Sequence, residues 1–215
     1  MAPPRDAPFM DGPESAGSGR AARIGPNAVT RIAEALRATG HERWIVPIYA
    51  AAGACDWLDS PPQEMVDERQ AARLHLAVRR FLPASGASQV LAEAGRLTAD
   101  YLLAVRIPPA ARLLLKALPA PIGIRLLLRA VRMHAWTFAG SGRFDCAAGP
   151  PVTIEIGANP LCAGERAAEP VCDWHAAVFQ RLFQSLVTRR SAVREVECVA
   201  SGQDRCRFTV SYTPR

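Results

Sequence analysis

Apolar positions along the 215-residue chain first change their period near residue 136. Before that point they recur every three to four residues, the spacing of an amphipathic helix. Pro26-Asn27 opens the first such pattern, with Val29, Ile32, Ala33 and Leu36 on one face and Gly40 as its stop. A short apolar piece from Trp44 to Ala52 is interrupted by Pro47. Ser60-Pro61-Pro62 reads as a helix start, a Ser cap followed by prolines in the first turn. It predicts a helix to about Phe81, stopped by Pro83, with Met65, Ala72, Leu76 and Val78 or Arg79 turning past one face. Another helix is expected over 88–105, ending before Pro108-Pro109. Residues 110–134 read as one or two helices bent at Pro119 and Pro121.

Beyond Trp136 the period shortens. Residues 137–146 and 152–156 read as strands separated by Ala147-Ala148-Gly149-Pro150-Pro151, and Val152, Ile154 and Ile156 alternate with Thr153 and Glu155. Helical spacing returns over 173–189, with Trp174, Ala177, Val178, Leu182 and Leu186 on one side. A hairpin closes the pattern, Ala192–Ala200 and Arg205–Tyr212 around Ser201-Gly202-Gln203-Asp204. The expected class is α+β, an N-terminal helical half packed on a C-terminal antiparallel sheet in the order β-β-α-β-β. Residues 1–24, rich in Pro and Gly and poor in large apolar side chains, are expected to be a disordered leader before one domain over 25–215.

Composition narrows the functional classes. The net charge is +6, and of 26 cationic residues only Lys116 is lysine. This permits anionic partners without choosing among them. No apolar run is long enough to cross a membrane, and no basic-then-apolar leader suggests export. A cytoplasmic location follows as an expectation, with peripheral attachment to a membrane and a homodimer both left open. In such a compartment six cysteines read as thiols or metal ligands rather than disulfides.

Cys198-x7-Cys206 spans the final hairpin, so its cysteines stand on paired strands with side chains about 5 Å apart. Two thiolates at that distance could share a tetrahedral Zn²⁺. Cys172 at the start of the preceding helix and Glu195 complete a set of four, Cys172, Glu195, Cys198 and Cys206. Four protein ligands make a structural site, because catalytic zinc keeps a position open. Glu195 and Cys198 point to opposite faces of a regular strand, so Glu195 can join only through a bulge or if Cys198 lies past the strand end. His175, one helical turn from Cys172, is a rival ligand. Cys55, Cys146 and Cys162 keep no assigned role.

Cys172, Glu195-Val196-Glu197-Cys198, Gly202 and Cys206-Arg207-Phe208 resemble the signature of the 4-vinyl reductase domain family of small ligand-binding modules. Asn159-Pro160-Leu161-Cys162 and the run Val171 to Phe179 are similar to its bacteriochlorophyll-pathway branch, and the likeness spans about 25–212. The resemblance implies a fold related to transport-particle and haem-nitric-oxide-binding domains. It also implies structural zinc on Cys172, Glu195, Cys198 and Cys206.

The branch is named for reduction of a vinyl group, which needs an electron donor. Gly140-Ser141-Gly142 lacks the third glycine and the helix of a dinucleotide loop, and the cysteines lack ferredoxin spacing. No bound redox cofactor is therefore expected. The reading that follows is a tetrapyrrole-binding accessory or carrier protein handling a divinyl magnesium-tetrapyrrole intermediate, alongside other bacteriochlorophyll-synthesis enzymes. The alternatives are a 4-vinyl reductase with an external donor and a small-aromatic sensor domain. Nucleic acid is not an expected partner. Arg125, Arg129 and Arg132 share one helical face and could pair with tetrapyrrole carboxylates. His134 could ligate magnesium, and Trp136, Trp174 and Phe179 could line a flat pocket.

Overall fold

Buried apolar faces, set one against the next, order the chain into a sheet, a long helix across it, and a second layer of helices. The structure is a computed structural model that describes residues 22–213. The expected leader lies outside those residues except at its end, where Arg23–Ile24 form a short strand, β1. A 3-10 turn over Pro26–Ala28 leads into α1 (Ile32–Ala38), which buries Ile32, Ala35 and Leu36. In α2 (Ile45–Ala51) Pro47 lies in the first turn, where its missing N–H costs nothing, so the Trp44 to Ala52 piece is helical. One turn, α3 (Asp56–Asp59), precedes β2 (Val66–Asp67), which pairs antiparallel with β1.

The helix expected from Ser60 begins eight residues later as α4 (Glu68–Phe81). Asp67 provides the cap, its carboxylate accepting from the Arg69 N–H at 2.7 Å. The β1–β2 pairing holds Val66 and Asp67 extended, so Met65 cannot be part of the helix. The buried face of α4 is consequently Ala71, Leu74, His75 and Val78, with Leu76 only partly covered.

The next helix starts at Ala84 rather than residue 88. It runs as α5 (Ala84–Tyr101) and widens into a π-turn over Leu102–Arg106. Then come α6 (Pro109–Ala117) and α7 (Ala120–Met133), each with proline in its first turn. The strand expected over 137–146 is half helix: Trp136–Ala139 form a single turn, α8, and the strand is confined to β3 (Arg143–Ala147). The Thr137 hydroxyl donates to the His134 carbonyl at 2.7 Å, which favours the turn over extension. Gly140, at φ +55, reverses the chain, and the Glu68 carboxylate accepts from Ser141 N–H at 2.8 Å and Ser141 Oγ at 2.6 Å.

The rest is β4 (Val152–Gly157), α9 (Asp173–Leu186), β5 (Ala192–Glu197) and β6 (Arg205–Ser211). The four long strands form one antiparallel sheet in the order β3-β4-β6-β5. The class is α+β, with a helical N-terminal half and the sheet at the C-terminal end. Val152, Ile154 and Ile156 face inward with Phe208 and Val210. Phe179 of α9 meets Phe208 edge-to-face with ring centres 5.5 Å apart. Burying such rings contributes about 1.5–3 kcal/mol each.

On its other side α9 lies against α5. The two helices cross at Gly95, where any Cβ would run into the Trp174 carbonyl oxygen and touch Ala177. Ser88 Oγ donates to the Asp173 carboxylate at 2.7 Å and pins the start of α9. Gly95→Ala is expected to destabilise the chain by about 2 kcal/mol or more in chemical denaturation, since the backbone of α9 must yield.

His75, buried in the same layer, bonds the Ala28 carbonyl through Nε2 at 2.8 Å, and burial lowers its pKa to about 3. The unfolded chain takes up this proton near pH 6.5, and the folded one only near 3, so stability must fall as pH drops through that window. At pH 4 the loss from this residue is on the order of 3 kcal/mol. Denaturation curves of wild type and His75→Gln between pH 7 and 4 should converge by that amount.

Candidate metal centre

Four separate segments deliver four sulfurs to one point. The pairing of β4 with β6 sets Ile156 opposite Cys206. The chain leaving β4 therefore turns back beside Cys206. Asn159 caps that turn, accepting from Leu161 N–H at 3.1 Å, and Cys162 ends it. Cys172 is the residue before α9, and Cys198 lies just past the end of β5. Cys162, Cys172, Cys198 and Cys206 are all buried, with their sulfurs within 4.8 Å of one another.

The spacings decide what such a group can hold. Sulfur pairs stand at 3.4 Å (Cys172–Cys206), 3.7 Å (Cys162–Cys206) and 3.8 Å (Cys172–Cys198 and Cys198–Cys206). A tetrahedron with metal–sulfur bonds of ~2.3 Å has edges of about 3.8 Å. Four of the six sulfur–sulfur distances thus fit the edges of one mononuclear tetrahedral site, and all six lie within 4.8 Å; a cluster of several irons would hold the sulfurs further apart. Asn159 Nδ2 donates to Cys172 Sγ at 3.3 Å and Cys206 Sγ at 3.5 Å, as second-layer amides do toward thiolates. The neighbouring cysteines, Cys162 foremost, favour the thiolate on Cys198 and disfavour it on Cys172 and Cys206.

The structure brings Cys162, which the sequence left without a role, into the group and holds Glu195 beside it. A register shift separates Glu195 from Glu197 on β5, so both conditions for Glu195 to turn toward Cys198 are met. Its Oε2 accepts from the Cys172 N–H at 2.7 Å, while Oε1 is buried without a partner. Burial first, then the charge of Cys198, raises its pKa to about 8. A cation among the four sulfurs would stabilise this buried carboxylate in its charged form. His175, the rival ligand, points elsewhere: its ring lies among Phe138, Phe179 and Phe208, and burial lowers its pKa to about 4.

Arg79 positions the loop that carries two of the cysteines. It reaches from α4 to donate to the carbonyls of Leu161 at 3.2 Å and Val171 at 3.0 Å, each one residue before a cysteine. Nothing in the local pattern around Arg79 signals this role.

The seven residues assigned to a ligand pocket are not gathered in one place. Trp174 and Phe179 are core residues of α9. Arg125 and Arg129 face solvent on α7, and His134 Nδ1 lies 2.9 Å from the Ala130 carbonyl at its end. Trp136, at the start of α8, is 60% exposed. Arg132 is engaged, donating to Asp145 at 2.6 Å and the Cys146 carbonyl at 2.8 Å. A separate cleft of about 270 Å³ opens near Val29, Ala33, Arg37, Tyr49 and Trp57, where burial raises the Tyr49 pKa to about 12.

Comparison with known proteins places this arrangement in a class. Residues 152–211, which hold Cys162, Cys172, Cys198 and Cys206, match the vinyl-4-reductase (V-4-R) domain. The chain is 46% identical over 186 residues to the bacteriochlorophyll synthase 23 kDa chain of Cereibacter sphaeroides, covering 86% of this chain and 89% of that one. It is 40% identical over 190 residues to the protein of the same name from Rhodobacter capsulatus, covering 87% and 86%. The chain belongs to the family of these bacteriochlorophyll synthase 23 kDa chains.

Two solved structures are also similar. One, from work on haem redox potential and protein-induced porphyrin distortion, aligns with a TM-score of 0.49 and 12% identity over 88% of this chain and 95% of the other. A vinyl-4-reductase family protein from Methanocaldococcus jannaschii aligns with a TM-score of 0.33 and 20% identity, over 68% of this chain and 93% of that one.

The sulfur geometry predicts about one equivalent of metal in the purified chain, lost in Cys162→Ser and Cys206→Ser and retained in Glu195→Gln. Elemental analysis with thermal melting reads this out, and the two Cys variants should melt well below wild type. Retention of metal by Cys162→Ser with loss in Glu195→Gln would restore the carboxylate as fourth ligand.

Proposed function

We propose that this chain is a tetrapyrrole-handling accessory protein of bacteriochlorophyll synthesis, with zinc as a structural staple. The observation that carries the reading is the 46% identity, over most of both chains, to a protein named as a bacteriochlorophyll synthase chain. The metal follows from the donor set: four buried cysteines at tetrahedral spacing suit a d¹⁰ ion that prefers thiolates and shows no redox chemistry. It would be held by Cys162, Cys172, Cys198 and Cys206 and would fix the loop, α9 and the hairpin to one another. It supplies folding energy rather than electrons, which supports binding over catalysis by this chain alone.

The pigment is a flat apolar macrocycle with carboxylates at its edge. Arg125 and Arg129 are unburied guanidinium forks that can take a carboxylate, and His134 and Trp136 stand at the end of the same helix. Trp136 offers an exposed ring for stacking, and His134 an imidazole for chelated magnesium.

Adding magnesium protoporphyrin or protochlorophyllide to the zinc-loaded chain should shift the pigment's visible absorption and reach saturation. Arg125→Gln/Arg129→Gln should weaken binding about tenfold or more, as charge-assisted hydrogen bonds contribute on the order of 1.5–3 kcal/mol. No shift with any magnesium tetrapyrrole would overturn the proposal. Monovinyl product formed with a supplied electron donor would instead establish the chain as a reductase.

A further inference from the structure

Helices α6 and α7 carry an unusual surface. Of the nine large apolar residues that the described chain leaves exposed, seven fall between residues 105 and 136: Val105, Leu113, Leu114, Ile122, Leu126, Met133 and Trp136. Leu113 and Leu114 are 71% and 57% exposed. No residue of α6 is buried. On α7 the buried face is Gly123, Ile124, Leu127, Leu128 and Val131, packed inward near Val187. Ile122, Leu126, Arg129 and Met133 follow one another at helical spacing on the opposite side. An apolar stripe of this extent facing water marks a surface that meets something else.

The charge on the same segment identifies what it meets. Residues 101–144 contain seven cations (Arg106, Arg112, Lys116, Arg125, Arg129, Arg132 and Arg143) and not one Asp or Glu. The acids that border it are already paired, Asp100 with Arg96 and Arg181, and Asp145 with Arg132. Exposed apolar side chains interleaved with cations alone complement a surface that is greasy below and anionic above. That is the interface of a bilayer containing acidic phospholipid. No described helix is long and apolar enough to cross a membrane, so the contact would be interfacial.

We propose that the α6–α7 face docks the chain on an anionic phospholipid bilayer, its leucines entering the acyl boundary while its arginines stay among the headgroups. This is independent of pigment binding, and pigment-free vesicles test it.

The zinc-loaded full chain should float with vesicles of phosphatidylcholine and phosphatidylglycerol, and far less with phosphatidylcholine alone. High salt should release it. Leu113→Ser/Leu114→Ser should lower the partition coefficient at least tenfold, since two exposed leucines lose their burial in lipid. Arg106→Gln/Arg112→Gln should lower it about ten- to thirtyfold. Both pairs leave Arg125, Arg129, His134 and Trp136 untouched, so pigment spectra should stay as in wild type. Failure to float with anionic vesicles, equal binding to neutral ones, or unchanged binding in both variants would overturn the proposal. A leucine variant that changes oligomeric state instead of lipid partition would also overturn it, assigning the face to a second copy of the chain.

Discussion

Four sulfurs held within 4.8 Å of one another are the constraint around which the C-terminal half is arranged. They come from a loop, a helix start, a strand end and a strand; strand pairing already joins Cys198 to Cys206, and the sulfurs add the loop and the start of α9 to that hairpin. Buried thiols crowded together repel as thiolates and gain little as neutral groups. A cation turns the same crowding into bonding, which is how a metal contributes directly to folding. The neighbours suit that state: Asn159 offers its amide to two sulfurs, and Arg79 holds the carbonyls before Cys162 and Cys172.

From this point the rest of the fold can be followed outward. Cys172 sets where α9 begins, and α9 lies between the sheet and α5. The crossing at Gly95 lets the helix backbones nearly touch, so the position of the sulfur site is transmitted to the helical layer by packing alone. On the sheet side the Phe179–Phe208 contact does the same. Helices α6 and α7 hang at the periphery of this frame. They pack inward through one face of α7 and through the partly buried Leu115 of α6, and leave the remaining apolar surface in solvent, where proposals for both pigment and lipid converge on neighbouring residues. A protein that handles an apolar pigment gains from standing where such pigments dissolve, and the proximity of the two surfaces has that physical logic.

Much of this was legible in the chain. The alternation of Val152, Ile154 and Ile156 named an inward strand face, and the spacing of Trp174, Val178, Leu182 and Leu186 named the buried side of α9. Cys198 and Cys206 could be paired across their turn because a hairpin is local. The errors were also local in origin. Ser60-Pro61-Pro62 carries the chemistry of a helix start, but pairing of Val66 and Asp67 with Ile24 and Arg23 moved the start to Glu68. Thr137 and Phe138 favour strands by type, yet a hydroxyl bond to His134 and the reversal at Gly140 made a helical turn.

By itself the sequence determined which segments could be helix or strand, which faces were apolar, and that three cysteines and a glutamate belonged to one neighbourhood. The first two properties depend on residue type and spacing within a dozen positions; the last joined the local Cys198–Cys206 hairpin to Cys172 through the family signature. Only the tertiary structure decided that Cys162 completes the group, that Glu195 is held beside it through the Cys172 N–H, and that His175 turns to the aromatic core. It also decided that the arginine face of α7 shares a surface with exposed leucines instead of closing over a cavity. Each of those outcomes rests on contacts between residues far apart in the chain, above all the pairing of β4 with β6 and the packing of α5 on α9. Local pattern cannot encode which of several compatible surfaces a segment will meet.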